Sequence, residues 1–151
     1  MLTGRSTNGG LTWSNPVTTA TGSLDKNWTA CDNTATSPFY GHCYTEYDVN
    51  HAGDALRMRT SSSGGLTWGP ARATGNNATG LGGQPVVRPN GTVLVPYRSL
   101  SGQIRSFRSI DGGGQWEFSA IGALQPWAGN RVVLAGSRRF GREQCNRTRS
   151  R

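Results

Sequence analysis

Few side chains in this chain can move a proton, attack a carbon or grip an anion, and they are scattered. Asp25, Lys26, Glu46, Asp48 and Asp54 supply carboxylates and one ammonium, and Tyr97-Arg98 sets a phenol beside a guanidinium. Carboxylates serve acid and base steps, and a guanidinium holds a carboxylate by paired charge-assisted hydrogen bonds. His42 and His51 read as surface or loop residues. Cys31 and Cys43 have no second cysteine pair or histidine cluster beside them, so no metal and no cofactor is expected. These two cysteines leave two readings open, a cross-strand disulfide in an exported protein or two buried free thiols. Cys145 reads as unpaired.

The elements that must position these groups are announced by an internal repeat. Ser6-Thr7-Asn8-Gly9-Gly10-Leu11-Thr12-Trp13 returns as Ser61-Ser62-Ser63-Gly64-Gly65-Leu66-Thr67-Trp68 and as Ser109-Ile110-Asp111-Gly112-Gly113-Gly114-Gln115-Trp116. The closing tryptophans lie 55 and then 48 residues apart, a period that suits one four-stranded blade per repeat. Each box has the chemistry of a stiff hairpin turn. Asn8, Ser63 or Asp111 can accept from backbone N–H groups inside the loop. Gly10, Gly65 and Gly113 provide positive φ. The indole is expected to bury apolar surface between strands while its N–H finds a carbonyl.

This pattern resembles the Asp-box, or bacterial neuraminidase repeat, of sialidases and related β-propellers, written Ser-x-Asp-x-Gly-x-x-Trp. The copy with Asp111 matches in full, whereas Asn8 and Ser63 stand in for the aspartate elsewhere. Asp25-Lys26-Asn27-Trp28 and Gln84-Pro85-Val86-Val87 add to the resemblance, which covers residues 1 to 121. It implies an all-β fold, a partial β-propeller of two to three four-stranded antiparallel blades from a ring of six, each of about 50 residues. It further implies a secreted exo-glycosidase acting on terminal sialic acid or a related sugar. In the family a tyrosine activated by glutamate is the nucleophile, an aspartate is the acid and base, and an arginine cluster holds the substrate. The alternative is a non-catalytic propeller that binds glycans or proteins.

Strand signals divide the chain further. Residues 27–32, 40–47, 55–60 and 69–74 form one blade; residues 84–89, 92–98, 104–109 and 117–121 form a second. Residues 1–20 hold the remnant of a preceding one. Asn90-Gly91 predicts a two-residue type I′ hairpin. The resemblance implies that boxes and chemistry lie at opposite ends of the blades, so residues 20–26, 47–54, 75–83 and 98–103 form the candidate rim. Asp25, Asp48, Tyr97 and Arg98 are its site candidates; Glu46 reads as decoration of a strand face. No Arg-Ile-Pro segment marks the family's first arginine. The Asn-x-Thr triplets at Asn27, Asn77 and Asn90 matter only in a glycosylating host.

Twenty-two glycines, five tryptophans and few charges suit a turn-dense all-β domain. Two blades and a remnant cannot close a ring, so the chain reads as a fragment inactive alone. Met1 to Arg5 lead straight into a box with no signal peptide. Of the net charge of +8, residues 131–151 carry seven arginines against one glutamate. Such a tail could contact nucleic acid, but it lacks aromatic interleaving and any recognisable module. Residues 122–151 read instead as a disordered terminus or a shifted reading frame, the latter favoured because the blade pattern stops abruptly. A glycan is the expected partner; nucleic acid and membrane are not.

Overall fold

The computed structural model describes residues 1–122. Within them the fold is all-β and antiparallel, a partial propeller. Strands β1 (Leu2–Thr3) and β2 (Val17–Thr18) pair around the first box. The next sheet runs β3 (Leu24–Cys31), β4 (Cys43–Val49), β5 (Ala55–Ser61) and β6 (Arg72–Ala73) in sequence order. The last sheet has β9 (Val93–Ser99), β10 (Ile104–Ser109) and β11 (Glu117–Gly122), with β7 (Gly80–Leu81) and β8 (Val86–Val87) sharing the free edge of β9. Among the described residues a single 3-10 turn, Asn50–Ala52, interrupts the strands and carries exposed His51. The tail expectation and Cys145 lie outside the described residues.

All three boxes fold alike because each is wired locally. The first hydroxyl accepts from the second glycine: Gly10 N to Ser6 Oγ at 2.8 Å, Gly65 N to Ser61 Oγ at 2.8 Å, Gly113 N to Ser109 Oγ at 2.9 Å. The short polar residue accepts from the position before tryptophan: Thr12 N to Asn8 Oδ1 at 3.0 Å, Thr67 N to Ser63 Oγ at 2.9 Å, Gln115 N to Asp111 Oδ1 at 3.0 Å. Both glycines of each pair take positive φ, 70° and 89°, 65° and 90°, 71° and 91°, so the requirement covers Gly9, Gly64 and Gly112 as well. Partial burial works against ionisation of Asp111, but the Gln115 amide, the Ser109 hydroxyl and the Gly114 amide together hold its carboxyl below the usual range.

The tryptophans differ where the boxes do not. Trp116 is 3% exposed and meets Tyr44 and Phe107 edge to face, with centroids 6.1 and 5.9 Å apart. Trp13 is 67% exposed. Among the described residues the expected carbonyl partner exists only for Trp13, whose indole donates to Gly10 O at 3.1 Å; the buried indole N–H groups of Trp68 and Trp116 find none there. Trp116 therefore acts in the seam between the two blades, where Tyr44, Leu56 and Met58 face Val93, Val95, Tyr97 and Phe107. That seam is the core.

Several strand limits move, each for a local reason. Asp32 is buried and accepts from the Thr34 amide and the Ser37 hydroxyl, building a compact loop, so β4 starts at Cys43 and not at residue 40. This loop carries Phe39 across the seam: a β-carbon on Gly91 would stand 2.7 Å from its ring, and one on Gly112 2.5 Å. Strand β3 begins at Leu24 because a bulge between Asp25 and Trp28 lets pairing continue past Lys26, whose φ is 49°. The type I′ turn is not formed. Gly91 N donates to Arg88 O and Arg88 N to Thr92 O, so the loop is Pro89-Asn90-Gly91 with only glycine at positive φ. Proline fixes a negative φ at the first turn position, which a type I turn with a following glycine bulge accepts and a type I′ turn does not.

Candidate functional site

Backbone register decides which candidates meet. In the β3–β4 pair, Asp25 stands opposite Asp48, Trp28 opposite Glu46 and Cys31 opposite Cys43. The cysteines are joined by a disulfide, their Cα atoms 4.0 Å apart. They close the end of the blade that also holds the boxes at Ser61 and Ser109, because Cys43 pairs with Ser61 and Val93 with Ser109. Asp25, Asp48 and the links at 49–55 and 99–104 therefore gather at the other end. The sequence separation of rim from boxes is thus a physical separation along the strands.

At that rim Asp25 and Lys26 form an ion pair, with Asp48 opposite Asp25 in the strand register. Lys26 Nζ bonds Asp25 Oδ2 at 2.7 Å, and the Lys26 amide donates to Asp25 Oδ1 at 2.8 Å, both side chains lying in solvent. The hydrogen bonds from Lys26 hold the Asp25 carboxyl below its ordinary range, and those same contacts raise Lys26. Asp48, behind them, is buried with neither carboxyl oxygen bonded. Burial pushes it up to about 6, with Asp25 and Asp54 adding and Lys26 opposing. A carboxyl poised there can both give and take a proton near neutrality.

Glu46 is not surface decoration. It is fully buried in the seam, pushed up to about 9 by burial with the charge of Asp48 adding. The Gly83 amide is near enough to favour the charged form slightly yet lies outside hydrogen-bond geometry, and both carboxyl oxygens lack partners. No signal in the residue types of Cys43 to Asp48 marks this: Glu46 shares the strand face of Tyr44, which is buried where the second blade docks.

Tyr97 and Arg98 do not converge. Successive residues on a strand point to opposite faces. Tyr97 turns into the seam, 2% exposed, its ring 5.6 Å from Phe107 and its hydroxyl unbonded; Arg98 faces out, exposed. His42 is half-buried between Phe39 and Tyr44. Asn27, Asn77 and Asn90 are exposed. Among the described residues no three histidines, cysteines or carboxylates cluster as a metal site would, and no helix is long and apolar enough to cross a membrane.

No family model and no curated protein matches this sequence. Among solved structures, the blades superpose on one described as Hadza microbial sialidase Hz136 with a TM-score of 0.56 at 12% identity. The likeness is one of fold. It covers 79% of this chain and 30% of that sialidase, so the chain spans under a third of the length of its structural neighbour.

Proposed function

We propose that this chain contributes blades to a secreted, sialidase-like exo-glycosidase that hydrolyses terminal sialic acid or related glycosidic bonds, and that it is inactive alone. The observation that carries this reading is the polarity of the blades. Three boxes occupy one end and the Asp25–Lys26–Asp48 group the other, in sheets that superpose on a sialidase. Asp25 and Lys26 face solvent, where they can bond sugar hydroxyls or a sugar carboxylate, and Asp48 supplies a proton-exchanging group behind them. The Cys31–Cys43 disulfide supports an oxidising, extracellular setting.

The outward turn of Arg98 favours a second reading, a non-catalytic propeller that binds glycans or proteins. Two measurements test the first reading: incubation of the purified chain with fluorogenic sialosides, and its retention on sialylated and desialylated glycan surfaces. The expected result is no aglycone release, with retention on sialylated glycans that Lys26→Ala weakens. Release by the chain alone overturns its inactivity; equal retention on both surfaces overturns the sialidase-like reading.

A further inference from the structure

Tyr44, Glu46 and Asp48 alternate along the face of β4 that meets the second blade. Tyr44 holds the box end of that seam through Trp116, and Glu46 follows toward the rim. A β-carbon built on Gly83 would stand 2.5 Å from Glu46 Cδ and 2.8 Å from Oε2. Only glycine fits there while Glu46 is in place. The carboxyl group is thus clamped between β4 and the link from β7 to β8 in the next blade.

Among the described residues, no element packed around it offers a free cation. On β4 the neighbour is Asp48, and on β3 it is Trp28, with Asp25 and Lys26 beyond already paired to each other. Met58 of β5 stands opposite, with exposed Arg72 of β6 beyond it, while Arg57 pairs with Tyr47 on the reverse face. The β4–β5 link brings Asp54, another negative charge. Residues 80–84 carry no charge, and β9 turns the buried Tyr97 hydroxyl to the seam while its Arg98 is exposed on the opposite face. A carboxylate in such surroundings is strongly disfavoured, and the neutral acid much less so.

We propose that the seam between the two blades is closed by a protonated Glu46, so that loss of this one proton in mild alkali loosens the blades and the rim they carry. The direction of titration agrees: burial and the Asp48 charge raise this group from 4.5 to about 9. The folded chain then holds a proton that the unfolded chain releases, so stability falls as pH rises between these values. The unfolding constant grows about tenfold per pH unit. Asp48 acts in the same sense but only up to about 6, which leaves the interval above it to Glu46.

The chain has three glutamates, Glu46, Glu117 and Glu143, so carboxyl ¹³C spectra of glutamate-labelled chain resolve the question. One signal is expected to stay protonated through neutrality, and Glu46→Gln removes it. Urea unfolding between about pH 6.5 and about pH 8.5 should show a roughly hundredfold rise in the unfolding constant, abolished in Glu46→Gln and retained in Asp48→Asn. Three glutamates titrating in the ordinary range, or a pH slope equal in the native chain and Glu46→Gln, overturns the proposal. Should Glu46→Gln fail to fold, the native spectrum and slope decide it.

Discussion

Replacing Trp116 with alanine tests whether a box tryptophan stabilises its own turn or the seam between blades. An indole buries roughly 150–250 Å², equivalent to about 4–6 kcal/mol at about 25 cal/mol per Å². Trp116, 3% exposed, realises nearly all of that area, and its edge contacts with Tyr44 and Phe107 add to it. Against this stands its indole N–H, buried without a partner, which costs about 1–3 kcal/mol and is relieved by the substitution. The expected net loss is about 3 kcal/mol. Trp13 sits in the same local sequence but is 67% exposed, so Trp13→Ala forfeits little more than one hydrogen bond to Gly10, about 1 kcal/mol or less. Urea unfolding followed by far-ultraviolet circular dichroism avoids the loss of a fluorophore. Trp116→Ala should lower the midpoint by roughly 1–2 M and Trp13→Ala by roughly a third of that. Equal shifts would refute the reasoning, because they would make the box tryptophan a local device.

Three further outcomes are expected. Gly113→Ala should destabilise by roughly 1–3 kcal/mol, since φ is 91° and a β-carbon would collide with Thr60 Oγ1; Gly10→Ala, with φ of 89° but its nearest neighbour 3.8 Å away, should cost only the backbone part, about 1 kcal/mol, in thermal unfolding. Reducing the Cys31–Cys43 disulfide, whose partners are 12 residues apart, should cost about 3 kcal/mol in denaturant titrations with and without reductant, and an unchanged midpoint would contradict it. Asp111→Ala should cost about 1 kcal/mol near neutrality by removing the acceptor for the Gln115 amide and the Ser109 hydroxyl. Because the folded carboxyl titrates below 3.8, the native chain keeps that advantage above this value and loses it as pH falls through the lowered one; a gap that closes at higher pH would count against the assignment.

The sequence by itself determined what is built within eight residues. Each box closes through hydrogen bonds between positions four apart, and its glycine pair meets a φ requirement no distant contact alters, so turn and blade period were legible, while the separation of boxes from rim was implied by the family resemblance. Strand limits were legible to within three residues, with the largest shifts at the starts of β3, β4 and β6, and the turn type failed where Pro89 outweighed Asn90-Gly91. Only the tertiary structure decided the states of the side chains. Trp13 and Trp116 share a motif, yet one lies in water and the other against Tyr44 from a different blade. Glu46 and Asp48 became buried acids through Gly83 and the face of the second blade, and Tyr97 parted from Arg98 when strand alternation met that same seam. Turn geometry is a property of neighbouring dihedrals, whereas burial and proton affinity depend on which distant atoms replace water, and those atoms are brought together only when the blades dock.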